Sequence, residues 1–173
     1  MTRVPRGRVG GSPSRHASLV HLAAIFLLAA GALVPNVARA ESLRILLASD
    51  VYKMSPENGR GGHAKLAAAV KAERAKGGAF LYVFAGDAIS PCLMCGFDKG
   101  AHLISLLNMM TPDVFVPGNH EFDFGRKIFI ERMTQAAFPV YAANLSAPDG
   151  ALKKILKPSR IISVGDVKVA IVG

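Results

Sequence analysis

The first forty residues contain no aspartate or glutamate, although 12 acidic residues follow in the rest of the chain. They carry five arginines, an apolar run at residues 22–34 and the ending Ala38-Arg39-Ala40. A basic start, a short apolar stretch and small residues at the two positions read by a signal peptidase are typical of secretory signals. The sequence therefore predicts that residues 1–40 are a signal peptide, cleaved before Glu41, and that the protein is periplasmic or secreted.

The sequence has no apolar run long enough to span a membrane, and the predicted mature chain has no strong excess of basic residues. The alternative interpretation of residues 22–34 is a retained membrane anchor. Because this run is shorter than the roughly 20 residues that a helix needs to cross a bilayer, no stable membrane anchor is expected after cleavage. Five of the 21 Lys and Arg leave with the signal, which lowers the net charge from +9 to +4. Such a surface gives no reason to expect a nucleic-acid partner.

Cysteine is scarce, since Cys92 and Cys95 are the two in the chain. One Cys-x-x-Cys without a second pair does not supply the four thiolates of a structural zinc site. In an exported protein such a pair is typical of a local disulfide, of a thioredoxin-like redox couple or of part of a metal site. We expect a local disulfide that lies after Asp87 and ahead of a helix.

From Leu43 onward, the apolar periodicity alternates between strand and helix. Four short apolar runs predict strands at residues 43–49, 80–86, 113–116 and 139–143. Helical spacing predicts helices at residues 64–76, 101–110 and 124–137. This order predicts an α/β fold with a mainly parallel sheet and helices on both faces. Residues 147–158 are expected to form a loop, and the β-branched runs around Gly165-Asp166 predict a closing hairpin.

Ligand-type side chains follow three of the predicted strands. Asp50 ends the first, Asp87 ends the second, and the third leads into Gly118-Asn119-His120-Glu121-Phe122-Asp123. Taken singly, such residues are usually caps, turn formers or solvated side chains. Because the carboxyl ends of parallel strands share one edge of a sheet, the joint pattern predicts one polar site. Oxygen donors there suit hard metal ions, and Asp123 can hold the ring of His120.

The joint pattern resembles the calcineurin-like metallophosphoesterases, and more narrowly their 5'-nucleotidase branch. The resemblance is carried by the hexapeptide at residues 118–123, by Ala85-Gly86-Asp87 and by the early helix that starts Gly61-Gly62-His63. It extends over residues 43–173, and it implies that residues 41–173 are the N-terminal part of a metallophosphoesterase domain. The implied fold is a truncated sandwich, a mainly parallel sheet with flanking helices.

The resemblance implies a metal-dependent hydrolase, similar to bifunctional 5'-nucleotidase/UDP-sugar hydrolases, that releases phosphate from nucleotides or other phosphoesters. Two divalent ions such as Mn, Zn, Fe or Co are implied, with Asp87 bridging them, Asp50 on the first and Asn119 on the second. A hydroxide held by the ions would attack phosphorus. His120 would stabilise the phosphoryl oxygens while Asp123 holds its ring. The resemblance assigns no role to Glu121, and the residue type suggests a cap of the following helix.

Two departures from the family's pattern bear on activity. The first motif usually reads Asp-x-His, and here Tyr52 stands in place of the histidine; we expect it to pack or to face water rather than to bind a ferric ion as phenolate. The family's later histidine ligands do not appear in this sequence, so weak metal binding is expected. His63 and His102 are alternative ligands, but surface or packing positions are expected for both.

Two rival functions remain open at this point. One is a catalytically dead binding module on the same fold, and the other is a thiol redox protein that uses Cys92 and Cys95. A sheet that stops at its last strand also leaves an unpaired edge and an uncovered apolar face, which predicts association of the isolated mature chain. The nucleotide itself is not indicated by the sequence.

Overall fold

Five parallel strands form the central sheet of the protein in a computed structural model, which describes residues 42–146 and 150–173. The strands are β1 (Arg44–Ala48), β2 (Phe80–Phe84), β3 (Val114–Phe115), β4 (Val140–Tyr141) and β5 (Leu156–Lys157). They lie in chain order, and each pairs in parallel with the next. The predicted parallel sheet is therefore confirmed, whereas the predicted signal peptide at residues 1–40 lies outside the described residues.

In the described part of the chain, four α-helices and two 3₁₀ helices connect these strands. The helices are α1 (His63–Ala75), α2 (Cys95–Asp98), α3 (Ala101–Met110) and α4 (Gly125–Gln135), with 3₁₀ helices at Asn119–Phe122 and Ala151–Lys154. The three longer α-helices lie where the sequence predicts them, within two residues at each end. Within the described ranges, no helix is both long enough and apolar enough to span a bilayer.

All of the longer helices pack on one face of the sheet. Val70 of α1, Leu107 of α3 and Phe129 of α4 belong to one buried cluster, which also contains Tyr82, Phe84, Phe115 and Val140 from the strands. Strands in sequential order, joined by crossovers of the same hand, place every crossover on the same side. The prediction of helices on both faces is therefore wrong, because helix and strand periodicity does not specify strand order.

A β-hairpin covers much of the opposite face. Strands β6 (Ser159–Val164) and β7 (Val167–Val172) pair antiparallel around Gly165, as the sequence predicts. Their inward side chains pack against those of the central sheet in a second cluster that includes Leu81, Val114 and Tyr141 together with Ile162, Val164, Val169 and Ile171. On β1, Ile45 and Leu47 are 59% and 66% exposed, so the hairpin does not cover that edge strand.

The segment predicted as a loop at residues 147–158 contains two elements. Residues 147–149 lie outside the described residues, but Ala151–Lys154 form a 3₁₀ helix and Leu156–Lys157 form β5. Leu152 and Leu156 are each 7% exposed and belong to the helix-side cluster. The loop prediction is wrong here because a two-residue strand beside several lysines gives no periodic signal.

A buried arginine joins α4 to the end of α2. Arg132 is 5% exposed. Its Nε donates to the carbonyl oxygen of Lys99 at 2.8 Å and its Nη2 to that of Asp98 at 2.9 Å. The last carbonyl groups of a helix have no partner within the helix, so the guanidinium satisfies acceptors that would otherwise be left unpaired. Arg132 thereby holds the C-terminal end of residues 87–99, the segment that begins with Asp87.

We predict that Arg132→Met lowers the free energy of unfolding by about 2–3 kcal/mol, because two carbonyl groups lose charge-assisted hydrogen bonds from a buried guanidinium. Denaturant unfolding measures the change. Lys127→Met, at an exposed position of the same helix, is the matched control and should alter stability by less than about 0.5 kcal/mol. Equal effects of the two substitutions would contradict this role of Arg132.

Candidate active site

The carboxyl ends of β1, β2 and β3 lie in register at one edge of the sheet. Ala48 pairs with Phe84, and Phe84 pairs with Phe115. Beyond these pairs, the backbone N–H of Asp50 donates to the carbonyl oxygen of Gly86 at 3.3 Å. The chain segments that carry Asp50, Asp87 and Asn119 therefore leave the sheet side by side, as the sequence predicts.

Backbone geometry turns the first two of these segments sharply. Asp50 and Asp87 have φ values of 58° and 55°, in the left-handed region. Aspartate tolerates this region better than most residues because its short polar side chain can form local hydrogen bonds. The two carboxylates thus follow directly after the strands, on tight turns.

Two glycines let the second and third segments approach closely. A Cβ on Gly86 would lie 2.3 Å from the backbone nitrogen of Gly118, and a Cβ on Gly118 would lie 2.1 Å from Oδ1 of Asp87. Both distances are far below van der Waals contact, so no larger residue fits at either position without displacing its neighbour. The glycines of the two motifs therefore set the position of the Asp87 carboxylate.

Glu121 is buried between the same two segments and is 0% exposed. Its Oε2 accepts the N–H groups of Gly118 at 2.6 Å and Asp87 at 2.9 Å. Its Oε1 accepts those of Ala88 at 2.5 Å and Ile89 at 3.3 Å. Burial raises the pKa of Glu121, although these N–H groups oppose the shift. Glu121 thus caps the 3₁₀ helix that contains it, and its carboxylate also holds the turn after β2, a role that the sequence does not indicate.

His120 is held from two directions. Its Nδ1 lies 2.7 Å from Oδ2 of Asp123, and its backbone N–H donates to Oδ1 of Asp87 at 3.0 Å. The hydrogen bond that the His120 ring donates to Asp123, which is the main cause, raises the pKa of His120 and favours its cationic form. Asp123 in turn has a lowered pKa, through hydrogen bonds from His120 and Ser90. The contact expected between His120 and Asp123 is thus present.

Tyr52 connects Asp50 to His120. Its Oη donates to Oδ1 of Asp50 at 3.0 Å, and its ring meets the imidazole edge to face with centroids 6.0 Å apart. Burial, followed by the hydrogen bond and negative charge of Asp50, raises the pKa of Tyr52. Hydrogen bonds from Ser49 and Tyr52 lower the pKa of Asp50. Tyr52 therefore does more than pack or face water, because it orients the carboxylate of Asp50. In the sequence, the only signal for this contact is that Tyr52 follows Asp50 by two positions.

The remaining site candidates differ in their surroundings. Asn119 begins the 3₁₀ helix and is exposed. His63 is 3% exposed, and its Nε2 lies 2.9 Å from the carbonyl oxygen of Val51, so it holds a packing position, as expected. His102 contacts Asp98 rather than the Asp50 turn. Cys92 and Cys95 form the expected disulfide, with Cα atoms 5.0 Å apart.

The donor set at the sheet edge suits a hard divalent cation. Asp50 and Asp87 offer carboxylate oxygens, and Asn119 offers an amide oxygen. Hard cations such as Mg²⁺ and Mn²⁺ prefer such oxygens. His120, held by Asp123, adds a proton donor beside them. The arrangement is chemically suited to binding a phosphate group through metal ions and an imidazolium.

Proteins of similar sequence and fold include nucleotidases. The chain is 32% identical over 129 residues to a snake venom 5'-nucleotidase from Crotalus adamanteus, a match that covers 72% of this chain and 22% of that protein. It resembles the solved structure of the NAD nucleotidase of Haemophilus influenzae with a TM-score of 0.68 and 28% identity, over 75% of this chain and 26% of that one.

A second solved structure is similar to the same extent. The 5'-nucleotidase precursor from Thermus thermophilus matches with a TM-score of 0.69 and 26% identity, over 76% of this chain and 28% of that one. This chain therefore spans between a fifth and a third of the length of these relatives.

A family match extends over most of the chain and over every residue of the candidate site. Residues 43–165 match the calcineurin-like phosphoesterase family. The motifs at Asp50, Asp87 and residues 118–123 all lie inside this range. The resemblance seen in the sequence is thus confirmed, and the chain belongs to the calcineurin-like phosphoesterase family, with 5'-nucleotidases among its relatives.

Proposed function

We propose that the protein is a metal-dependent hydrolase that releases phosphate from nucleotides. The observation that carries the proposal is the contact network at the sheet edge, in which Asp50, Tyr52, Asp87, His120 and Asp123 are joined. Relatives named as 5'-nucleotidases and as an NAD nucleotidase support a nucleotide as substrate. The predicted signal peptide supports export to the periplasm or the medium.

Asp50, Asp87 and Asn119 would hold two divalent cations, with Asp87 placed between the other two segments. When bound, such ions activate an attacking oxygen and neutralise the charge that builds up on the phosphoryl group. Glu121 keeps the turn of Asp87 against the loop of Gly118, so the ligand positions are set before a metal arrives. Preorganised ligands of this kind lose little entropy on binding.

His120 would act on the phosphoryl oxygens. Because Asp123 holds Nδ1 at 2.7 Å, Nε2 is the nitrogen that this contact leaves for the substrate. The charge of Asp123 stabilises an imidazolium, which can donate a hydrogen bond to an oxygen that gains negative charge in the transition state. Asp123 is then a positioning residue, which acts through the ring of His120.

A catalytically dead binding module is the second candidate. The observation in its favour is Tyr52, which stands at the position where the family usually has a histidine ligand. Its phenol instead donates a hydrogen bond to Oδ1 of Asp50. A module of this kind would still bind metal and phosphate through Asp87 and His120. The two candidates therefore differ in turnover and not in binding.

Phosphate release from a nucleoside monophosphate tests the hydrolase directly. We expect turnover that requires Mn²⁺, stops with chelator, and falls at least about 100-fold in His120→Gln, because the charged donor is lost. Asp87→Ala should remove turnover and metal binding together. Glu131→Gln, at an exposed position of α4, is the control and should retain full activity.

Binding measurements separate the two candidates. Bound Mn²⁺ and nucleotide without any phosphate release would exclude the hydrolase and favour the binding module. Turnover that persists in Asp87→Ala would contradict the assigned metal site.

Gly118→Ala should weaken Mn²⁺ binding by about tenfold or more, because the added methyl group lies 2.1 Å from Oδ1 of Asp87 and must displace the carboxylate. Gly96→Ala is the matched control, since a Cβ there meets nothing within 4 Å. Calorimetry with Mn²⁺ compares the two variants. Equal affinities would mean that Asp87 is not a metal ligand.

Tyr52→His should strengthen Mn²⁺ binding by about tenfold, because an imidazole adds a neutral nitrogen donor next to Asp50. Tyr52→Phe removes the hydrogen bond to Asp50 without adding a ligand, and it serves as the control for that loss. The same calorimetric titration measures both variants. If Tyr52→His bound no better than Tyr52→Phe, position 52 would not face the metal.

A further inference from the structure

Cys92 of the Cys92–Cys95 disulfide lines a surface cleft that, apart from Tyr52, contains no residue of the proposed hydrolase site. The cleft has a volume of about 750 Å³. One wall is formed by residues 52–57, and the other by residues 91–94 with Phe97 and His102. The cleft therefore gives another molecule access to the disulfide.

The two cysteines differ in accessibility. Cys92 is half-buried and lines the cleft, whereas Cys95 is 0% exposed. In thiol–disulfide exchange an incoming thiolate attacks a sulfur that it can reach, and the other sulfur leaves. The geometry therefore assigns Cys92 as the sulfur open to attack and Cys95 as the buried leaving group.

Polar groups converge on Cys92 rather than on Cys95. The Nε2 atom of His102 lies 4.0 Å from Sγ of Cys92, and the backbone N–H of Cys95 donates to the same sulfur at 3.0 Å. The ring of His102 is oriented by Asp98, whose Oδ2 lies 2.7 Å from Nδ1. An imidazole and an N–H group next to a sulfur favour its thiolate form and so raise its reactivity.

Apolar side chains surround this disulfide on the surface. Leu93 is 88% exposed and Phe97 83% exposed, and Met54 and Met94 are about half exposed. Exposed apolar residues that cluster around a cleft indicate a binding surface for another molecule. Because the cleft holds an accessible disulfide, the occupant that fits both features is a protein segment with apolar side chains and a pair of thiols.

We propose that Cys92–Cys95 is an exchange-active disulfide that oxidises a protein dithiol bound through apolar side chains in this cleft. One partner thiolate attacks Sγ of Cys92, and the Cys92–Cys95 bond breaks. Cys95 leaves with the electron pair and takes a proton from solvent. The second partner thiol loses its proton to solvent, and its thiolate attacks the partner sulfur of the mixed disulfide, which releases Cys92 as a thiolate beside His102; Cys92 then takes up a proton. The partner dithiol is oxidised to a disulfide, and the two electrons that it loses reduce Cys92–Cys95 to two thiols.

Mapping of mixed disulfides in the purified protein tests the assignment of Cys92. After brief exposure to reduced glutathione and acid quenching, peptide mass spectrometry should find glutathione on Cys92 and not on Cys95. A dithiol such as dithiothreitol should reduce the folded protein completely. Glutathione on Cys95, or a disulfide that is reduced only after denaturation in urea, would overturn the proposal.

Single-cysteine variants test the role of the surroundings. In Cys95→Ser, we expect the free Cys92 to react with iodoacetamide at least about tenfold faster than Cys95 does in Cys92→Ser. Adding His102→Gln to Cys95→Ser should slow the reaction by about tenfold, whereas Ser105→Ala on the same helix should not change it. Equal rates for the two single cysteines would contradict the proposal.

A pair of peptides tests the partner class. A reduced Cys-x-x-Cys peptide flanked by leucine and phenylalanine should reduce the disulfide faster than the same peptide flanked by glutamate and serine. Replacing Leu93 and Phe97 by serine should abolish this preference while leaving reduction by glutathione unchanged. No preference in the unaltered protein would rule out an apolar protein partner. All these readouts are independent of phosphate release and of chelators.

Discussion

The buried carboxylate of Glu121 is the interaction on which the candidate site depends. Each of its two oxygens accepts two backbone N–H groups, and these four groups belong to the turn after β2 and to the loop after β3. Hydrogen bonds to a charged acceptor are stronger than those between neutral groups, and they gain strength where water is excluded. Its hydrogen bonds thus join the backbone of the two segments that carry Asp87 and His120.

The sheet supplies the frame for this interaction. Parallel pairing in sequential order brings three strand ends to one edge, while the crossovers put the helices on a single face. The other face then accepts the β6–β7 hairpin. The topology of the sheet therefore brings the site segments to one edge. Glu121, Gly86 and Gly118 then set the position of the Asp87 turn against the loop of Gly118.

Much of this could be predicted from the sequence, because the signals were local. Apolar periodicity located the helices and the parallel strands, and the polar residues after the strands located the edge of the site. Strand order could not be predicted, since it depends on which strands pair across distant parts of the chain. Residues Leu156–Lys157 were missed because a strand of two residues has no period to detect.

The contacts of the site likewise divide into local ones, which the sequence predicts, and contacts between distant segments, which it does not. The pair His120 and Asp123, three residues apart, was predictable because a helical turn brings such residues together. Glu121 was not, because its partners Ala88 and Ile89 lie more than thirty residues earlier in the chain. The contact of Tyr52 with His120 likewise joins two distant segments. The family resemblance suggested which residues matter, but only the fold shows how a buried acid organises them.

One segment carries both proposed chemistries, and its two ends are anchored separately. Glu121 binds the N–H groups of Asp87, Ala88 and Ile89 at the start. Arg132 binds the carbonyl groups of Asp98 and Lys99 at the end. The disulfide lies between these anchors. Because each anchor consists of several charge-assisted hydrogen bonds to the backbone, opening the disulfide leaves Asp87 in place. The metal site and the thiol cleft therefore share residues 87–99, and they meet at Tyr52, which lines the cleft and donates a hydrogen bond to Asp50.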